Sequence, residues 1–316
     1  MKLFLAIAAI VVLAAVSLLT GVSDLSWASI REGGTAWLVL VEVRLPRTLA
    51  LIFAGAGLAV SGTIMQMLAR NRFVEPSTAG TVESAKLGIL TVLLLAPGLP
   101  VYARMLVATG FALAGTALFL MILRRIPLRS PLMVPLVGLM LSGVIDAVTS
   151  FFAYRFDMLQ SLGAWTSGDF SSVLRGRYEL LYLALFLTLV AYRAADRFTV
   201  IGMGEEFATN LGLDYRKVTT LGLVIVSLVT ACVVVTVGAV PFVGLIVPNI
   251  LALTMGDGLR RALPWTVLMG AGLVLTCDIV GRIVIAPFEI PVGTMLGVIG
   301  SAFFLYLILR RKSRAA

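Results

Sequence analysis

Histidine is absent from this sequence, and cysteine occurs only twice in 316 residues. Without histidine the chain lacks the commonest transition-metal ligand and the usual base of neutral-pH catalysis. Cys232 and Cys277 lie far apart inside apolar segments, with no partner at metal-ligand spacing, so we interpret them as buried thiols. Transport by stripping and re-ligating a bare metal ion is therefore disfavoured, and so is an integral-membrane enzyme. We expect no metal site in this chain.

Charged residues are also scarce. They make up 13% of the chain, against about 25% in soluble domains. Hydrophobic residues make up 60%, which excludes an ordinary soluble protein and predicts a polytopic membrane protein with one domain over residues 1–316. The net charge of +9 comes from short clusters between apolar runs, a pattern typical of membrane topology rather than of nucleic-acid binding.

A phosphate-binding loop of the form G-x-x-x-x-G-K-[ST] is missing as well. The chain therefore has no usual means of cradling ATP. If ATP drives its activity, the nucleotide and its magnesium are used by a separate polypeptide, and this chain needs no bound cofactor.

Apolar runs long enough to cross a bilayer follow one another along the chain. They predict an all-α fold of about ten transmembrane helices, at residues 3–20, 44–70, 86–96, 101–123, 131–153, 178–192, 218–236, 240–255, 264–285 and 292–309. With both termini on the cytoplasmic side, most of the 25 lysines and arginines also fall on that side, as the positive-inside rule requires.

The second predicted span combines basic and small residues. It begins with Arg44 and Arg47, which share a helix face, and then carries no ionisable residue until Arg70. Its small residues, which favour close approach of a neighbouring helix, are Gly55, Gly57, Ser61 and Gly62. The amide of Gln66 favours a position that faces protein or water rather than lipid.

Three ordered motifs carry a family resemblance. The first combines RLPRTLA at 44–50, GAGLAVSGTIMQ at 55–66 and an EP pair at 75–76; the others are GAVPFVGLIVPNI at 238–250 and the stretch 278–311. Together they resemble the permease family of ABC importers for iron-siderophore complexes, haem and cobalamin, a family also called FecCD-type. Two positions depart from its pattern: Asn249 stands where histidine is common, and NRFVEP at 71–76 stands where NPLAEP is common.

The resemblance implies a permease in the cytoplasmic (inner) membrane that translocates an iron-siderophore complex. It also implies the partners, namely two ATP-binding subunits, a substrate-binding protein and a second permease that is identical or paralogous. In this family, arginines at the positions of Arg44, Arg47 and Arg282 receive acidic side chains of the binding protein. The alternative is that they reach lipid phosphates. Asp278, one turn before Arg282, is expected to hold that guanidinium in place.

The segment 201–218 resembles the family's coupling helix, which contacts the ATPase, and its candidate residues are Glu205, Glu206 and Gly212. An ordinary helical connector ending at a glycine is the alternative. The turn with Asn71 and Phe73 resembles the family's inner gate. The candidate pathway residues are Ser61, Gly62, Gln66, Gly293 and Gly297, whose glycines are equally explained by helix packing.

Asp146 lies in the middle of the fifth predicted span, with Ser142 and Ser150 four residues to either side. A mid-span aspartate costs about 2.5–3.5 kcal/mol on insertion scales, so it should face protein or water, and bonding to those hydroxyls is the expected arrangement. Two other functions stay open. One is a secondary transporter that couples ions through Asp146 or Asp278; the other is an importer of the same type that carries cobalamin or haem.

Overall fold

The computed structural model of the chain describes residues 2–21, 34–126, 133–256 and 258–312. Within these ranges every regular element is helical. The α-helices are α1 (Lys2–Leu19), α2 (Thr35–Val39), α3 (Leu45–Leu68), α4 (Thr81–Leu95), α5 (Val101–Arg125), α6 (Met133–Arg155), α7 (Leu159–Thr166), α8 (Leu181–Arg193), α9 (Ala195–Gly202), α10 (Glu205–Asn210), α11 (Tyr215–Val237), α12 (Val243–Met255), α13 (Leu259–Val284) and α14 (Val292–Lys312).

Each predicted span coincides with one of these helices, with ends that differ by a few residues. Among the described residues, six helices are long and apolar enough to cross a membrane, and three shorter apolar stretches are α8, α12 and Val292–Leu307 of α14. Helices are expected here because lipid offers no partner for backbone N–H and C=O groups, which a helix satisfies internally. The largest differences are at α4 and α13, which begin at Thr81 and Leu259 rather than at residues 86 and 264.

Several helical pieces were missed by the sequence reasoning, because they lie in segments interpreted as connectors or turns. They include α7, α9, a 3₁₀ turn at Pro76–Ala79, and α2, which runs through a π-helical turn at Leu40–Arg44 directly into α3. A π turn adds one residue to the helical repeat and so rotates the side chains that follow it by about 100°. Arg44 is the last residue of this turn.

Helix α3 lies at the centre of the bundle. Of the 18 most apolar consecutive residues in the span that contains α3, 83% are buried. The corresponding share for α1 is 6%, which places α1 on the periphery. α3 packs against α8, α9, α11, α12 and α13. The central position explains its composition, because a helix surrounded by helices gains more from small residues than from large lipid-facing ones.

Glycines set the two closest crossings of α3. A Cβ atom added at Gly55 would lie 2.4 Å from the carbonyl oxygen of Gly270 in α13. One added at Gly62 would lie 2.1 Å from the carbonyl oxygen of Gly244 in α12. Both distances are far inside van der Waals contact, so these helices touch backbone to backbone. The predicted close approach at the small residues of α3 is confirmed.

Candidate functional site

A cluster of charged side chains joins three helices at one end of the bundle, which we call the arginine end. At its centre the Asp278 side chain of α13 has no exposed surface. Arg47 of α3 donates to Asp278 Oδ1 through Nε at 3.1 Å and Nη2 at 2.7 Å. Arg282 donates through Nη2 to Asp278 Oδ2. The predicted contact between Asp278 and Arg282 is confirmed, and the same carboxylate also holds Arg47.

The other face of the cluster closes the C-terminus of α1. The last carbonyls of a helix have no partner within it and carry the negative end of its dipole, so a cation is favourable there. Arg44 Nη1 donates to Leu18 O at 2.8 Å and Leu19 O at 3.1 Å. Arg282 Nη1 donates to Ser17 O at 3.1 Å and Thr20 O at 2.8 Å, and its Nη2 donates to Ser17 Oγ at 2.8 Å.

All three arginines are largely buried. We expected all three at the surface of the bundle, but Arg44 and Arg282 are only 6% and 8% exposed, because the end of α1 covers them. The Arg47 side chain is 12% exposed, and its Nη2 lies 2.8 Å from Glu289 Oε2, an atom that is itself buried. Glu289 belongs to the connection between α13 and α14 and was not singled out from the sequence. The docking role of the three arginines stays a prediction, and Arg44 and Arg282 also have a structural role.

At the opposite end of α3, the predicted gate turn is folded onto the bundle. Asn71 Oδ1 accepts a hydrogen bond from the Phe73 backbone N–H at 2.8 Å, which closes a tight turn of the Asx type. The Phe73 ring is buried and meets Phe304 of α14 edge to face, with 5.8 Å between ring centroids. Asn71 and Phe73 are therefore held in place by local and long-range contacts.

The two departures from the family pattern meet in space. Asn249 of α12 donates from Nδ2 to the carbonyl oxygen of Arg72, inside the NRFVEP turn, at 2.7 Å. The same amide nitrogen also donates to Leu245 O at 2.8 Å. An amide nitrogen carries two hydrogens, so both bonds form together. Asn249 therefore fastens the altered turn to α12.

Glu75 fixes the far side of the same turn. Its carboxylate accepts from the Phe242 backbone N–H, at the start of α12, at 2.8 Å and from the Ser77 hydroxyl. Burial raises the pKa of Glu75 from 4.5 to about 7, although the bonds from Ser77 and from the backbone act in the opposite direction. The proximity of Glu83 adds to the rise in this pKa. The group therefore titrates close to neutral pH.

The predicted pathway residues divide into packed and open positions. Ser61 is fully buried, Gly62 touches Gly244, and a Cβ at Gly293 would lie 2.5 Å from Ser167 O. For these three the structure of the single chain favours packing over lining. A Cβ at Gly297 would meet nothing within 4 Å. Gln66 and Asn71 border a cavity of about 570 Å³ at the gate end of the bundle.

The predicted coupling segment contains a short exposed helix. Glu205 and Glu206 occupy the first turn of α10, where negative charge is favourable, and both are exposed. The helix ends before Gly212, whose φ of +78° is a left-handed conformation that favours glycine. Phe207 in α10 and Leu211 directly after it are 44% and 59% exposed. An exposed helix with uncovered apolar side chains is typical of an interaction surface.

Asp146 does not make the hydroxyl contact that we expected. It is exposed on the outside of the single chain, and no hydrogen bond joins it to the Ser142 hydroxyl within the described residues. Its neighbours Met140 and Val144 are 63% and 64% exposed. The prediction of a carboxylate bonded to Ser142 is wrong, since no hydrogen bond joins the two side chains although only one helical turn separates them. Ser142 is buried, whereas Asp146 points away from the bundle.

Comparison with known proteins identifies the family. The model of the FecCD transport family matches residues 7–310. The chain belongs to the FecCD transport family. Its members are permeases of ABC importers rather than enzymes, so this FecCD protein is a multi-pass membrane protein, and the resemblance noted from its motifs is confirmed.

Relatives cover the full length of this FecCD chain. It is 48% identical over 320 residues to the petrobactin import system permease protein YclN of Bacillus subtilis, with all of both chains covered. It is 43% identical to the ferric-anguibactin transport system permease protein FatD of Vibrio anguillarum, over 97% of this chain and 98% of that one. A solved inward-facing structure of a metal-chelate type ABC transporter superimposes with a TM-score of 0.82 at 27% identity, over 98% of this chain and 99% of that chain.

Proposed function

We propose that the chain is the permease subunit of an ATP-driven importer that carries an iron-siderophore complex across the cytoplasmic membrane. The main support is that the chain is 48% identical to a petrobactin import permease over the whole length of both proteins, and that a ferric-anguibactin permease is matched with similar coverage. A siderophore already shields its iron, so a permease needs no ligands for the metal. The absence of histidine from the sequence suits such a cargo.

The proposed topology has ten crossings and both termini in the cytoplasm. In this orientation the arginine end faces outward and receives the substrate-binding protein, while the gate turn and α10 face the cytoplasm. Arg47 suits the outer contact because a guanidinium offers forked donors to a carboxylate, and an ion pair at a wet rim contributes orientation and association rate. The exposed α10, with Glu205, Glu206 and Gly212, suits the ATPase contact.

The assembled importer contains two ATP-binding subunits and a second permease. ATP and magnesium belong to the ATP-binding subunits, and we propose no cofactor for this chain. The second permease is a further copy or a paralogue, and it covers the exposed face of α6 that carries Asp146.

Transport in vesicles tests the function. The purified complex is reconstituted into liposomes and supplied with its binding protein and ferric petrobactin labelled with radioactive iron. We expect accumulation that requires both ATP and the ATP-binding subunit and that persists when ionophores collapse ion gradients. Accumulation driven by an ion gradient without the ATP-binding subunit would contradict the proposal and favour a secondary transporter.

Two variants separate the outer and inner contacts. Arg47→Gln should weaken docking of the binding protein and leave co-purification of the ATP-binding subunit unchanged. Gly212→Val should have the opposite pattern, because a β-branched residue at a φ of +78° disturbs the end of α10. Each variant is the folding control for the other. Wild-type docking by Arg47→Gln would remove the arginine assignment, and wild-type recovery of the ATP-binding subunit with Gly212→Val would remove the coupling assignment.

A further inference from the structure

Glu289 is the second carboxylate that contacts Arg47. Its Oε2 lies 2.8 Å from Arg47 Nη2, and the Glu289 side chain is 29% exposed, whereas Arg47 is 12% exposed. Glu289 lies in the connection between α13 and α14, outside both helices. An acidic side chain of this protein therefore already lies where an acidic side chain of a docking partner is expected.

The two carboxylates on Arg47 are held very differently. Asp278 has no exposed surface and receives hydrogen bonds from both Arg47 and Arg282, so its removal would leave the buried Arg282 with only carbonyl and hydroxyl partners among the described residues. Glu289 contacts Arg47 through Oε2, which is buried, while the Glu289 side chain as a whole is 29% exposed; it can therefore turn towards solvent while Asp278 still pairs with Arg47. Asp278 therefore fixes the position of the guanidinium, and Glu289 is the exchangeable partner.

We propose that Glu289 is an internal competitor for docking: when the binding protein arrives, one of its carboxylates replaces Glu289 on Arg47, and Glu289 turns towards solvent. The inference rests on the proposed docking role of Arg47. The exchange keeps the charge balance of the cluster, because one carboxylate replaces another. Without a partner, Glu289 shields Arg47 from other anions, including lipid phosphates.

The size of the effect follows from the partial exposure of the pair, which is 12% at Arg47 and 29% at Glu289. Partly exposed ion pairs have small net strengths, so freeing Arg47 from Glu289 should tighten docking by about two- to fivefold. Much of the change should appear in the association rate and should shrink at high salt, because rim charges act mainly on encounter.

The test compares matched glutamate-to-glutamine variants of the complete importer in nanodiscs. Glu289→Gln removes the competitor. Glu42→Gln is the control, because Glu42 lies near the same end of the bundle, and its Oε1 pairs with Arg175 Nη1 at 3.0 Å in an exposed ion pair that does not involve Arg47. Both variants remove one negative charge and release one arginine. Affinity is measured with the purified, fluorescently labelled cognate binding protein at low and high salt, and Arg47→Gln is measured in parallel.

We expect Glu289→Gln to tighten docking two- to fivefold at low salt, Glu42→Gln to leave it unchanged, and Glu289→Asp to stay close to wild type. Equal tightening by both glutamine variants would reduce the effect to general charge and overturn the proposal. Weaker or unchanged docking by Glu289→Gln, with Arg47→Gln impaired, would overturn the competitor role alone. Unimpaired docking by Arg47→Gln would overturn the docking assignment and the competitor role together.

Discussion

Replacing Gly62 by alanine should destabilise the bundle at its centre. The added methyl group would lie 2.1 Å from Gly244 O and 2.2 Å from Gly244 Cα, and both atoms are backbone. No side-chain rotation relieves such contacts, so α3 and α12 must separate by more than about 1 Å to restore ordinary van der Waals distances. Overpacking of this kind typically costs about 1–3 kcal/mol. The separation would also lengthen the neighbouring hydrogen bond from Gln66 Nε2 to Gly244 O, which is 3.3 Å long in the wild-type structure.

Thermal unfolding in detergent measures this cost. The two buried free thiols, Cys232 and Cys277, react with a thiol-specific dye only after the bundle opens, so they report unfolding without any added label. A loss of about 1–3 kcal/mol should lower the midpoint by about 2–10 °C. Gly143→Ala is the control, because a Cβ at that position meets nothing within 4 Å. If Gly62→Ala unfolds at the wild-type temperature, the backbone contact between α3 and α12 does not exist.

Two further predictions concern the gate turn. Asn249→Ala removes the 2.7 Å hydrogen bond to Arg72 O, and this loss should cost about 1 kcal/mol and speed hydrogen exchange of the backbone amides of residues 71–75 roughly fivefold. Thr254→Val is the control on the same helix. Unchanged exchange in Asn249→Ala would show that Asn249 does not hold the turn. Glu75→Gln should flatten the pH dependence of stability. Because the folded-state pKa of Glu75 is raised from 4.5 to about 7, its stabilising contribution is full below pH 4.5 and is lost as the pH rises through 7, a change of about 3 kcal/mol. A wild-type unfolding midpoint that does not fall between pH 5 and pH 8, or a variant that falls equally, would refute this account of Glu75.

The sequence was informative wherever a property is local. Long apolar runs marked the helices, and the spacing of Asp278 and Arg282 by one turn predicted their contact. The turn residue Gly212 and the short helix before it were also recognisable, because left-handed glycine is a local signal. Small residues in α3 indicated close approach, since this depends on side-chain size alone.

Contacts between distant segments were not predictable from one sequence. Asn249 and Arg72 are 177 positions apart, and Arg282 and Ser17 are 265 apart. Nothing in the composition of either segment names its partner. For the same reason the role of Arg44 and Arg282 at the end of α1 was missed, and Glu289 was overlooked until the fold brought it to Arg47. The sequence marked α3 as a helix for close packing without showing that Gly244 and Gly270 are its counterparts.

The glycine crossings of α3 have a consequence for how the protein is made. α3 leaves the ribosome early, but the surfaces that fit Gly55 and Gly62 belong to α13 and α12, in the last third of the chain. Until α12 and α13 are synthesised, the small-residue face of α3 must therefore be covered by lipid or by helices that precede α12 in the chain. Chains that end before α12 should remain loosely assembled and be preferred targets of membrane proteases.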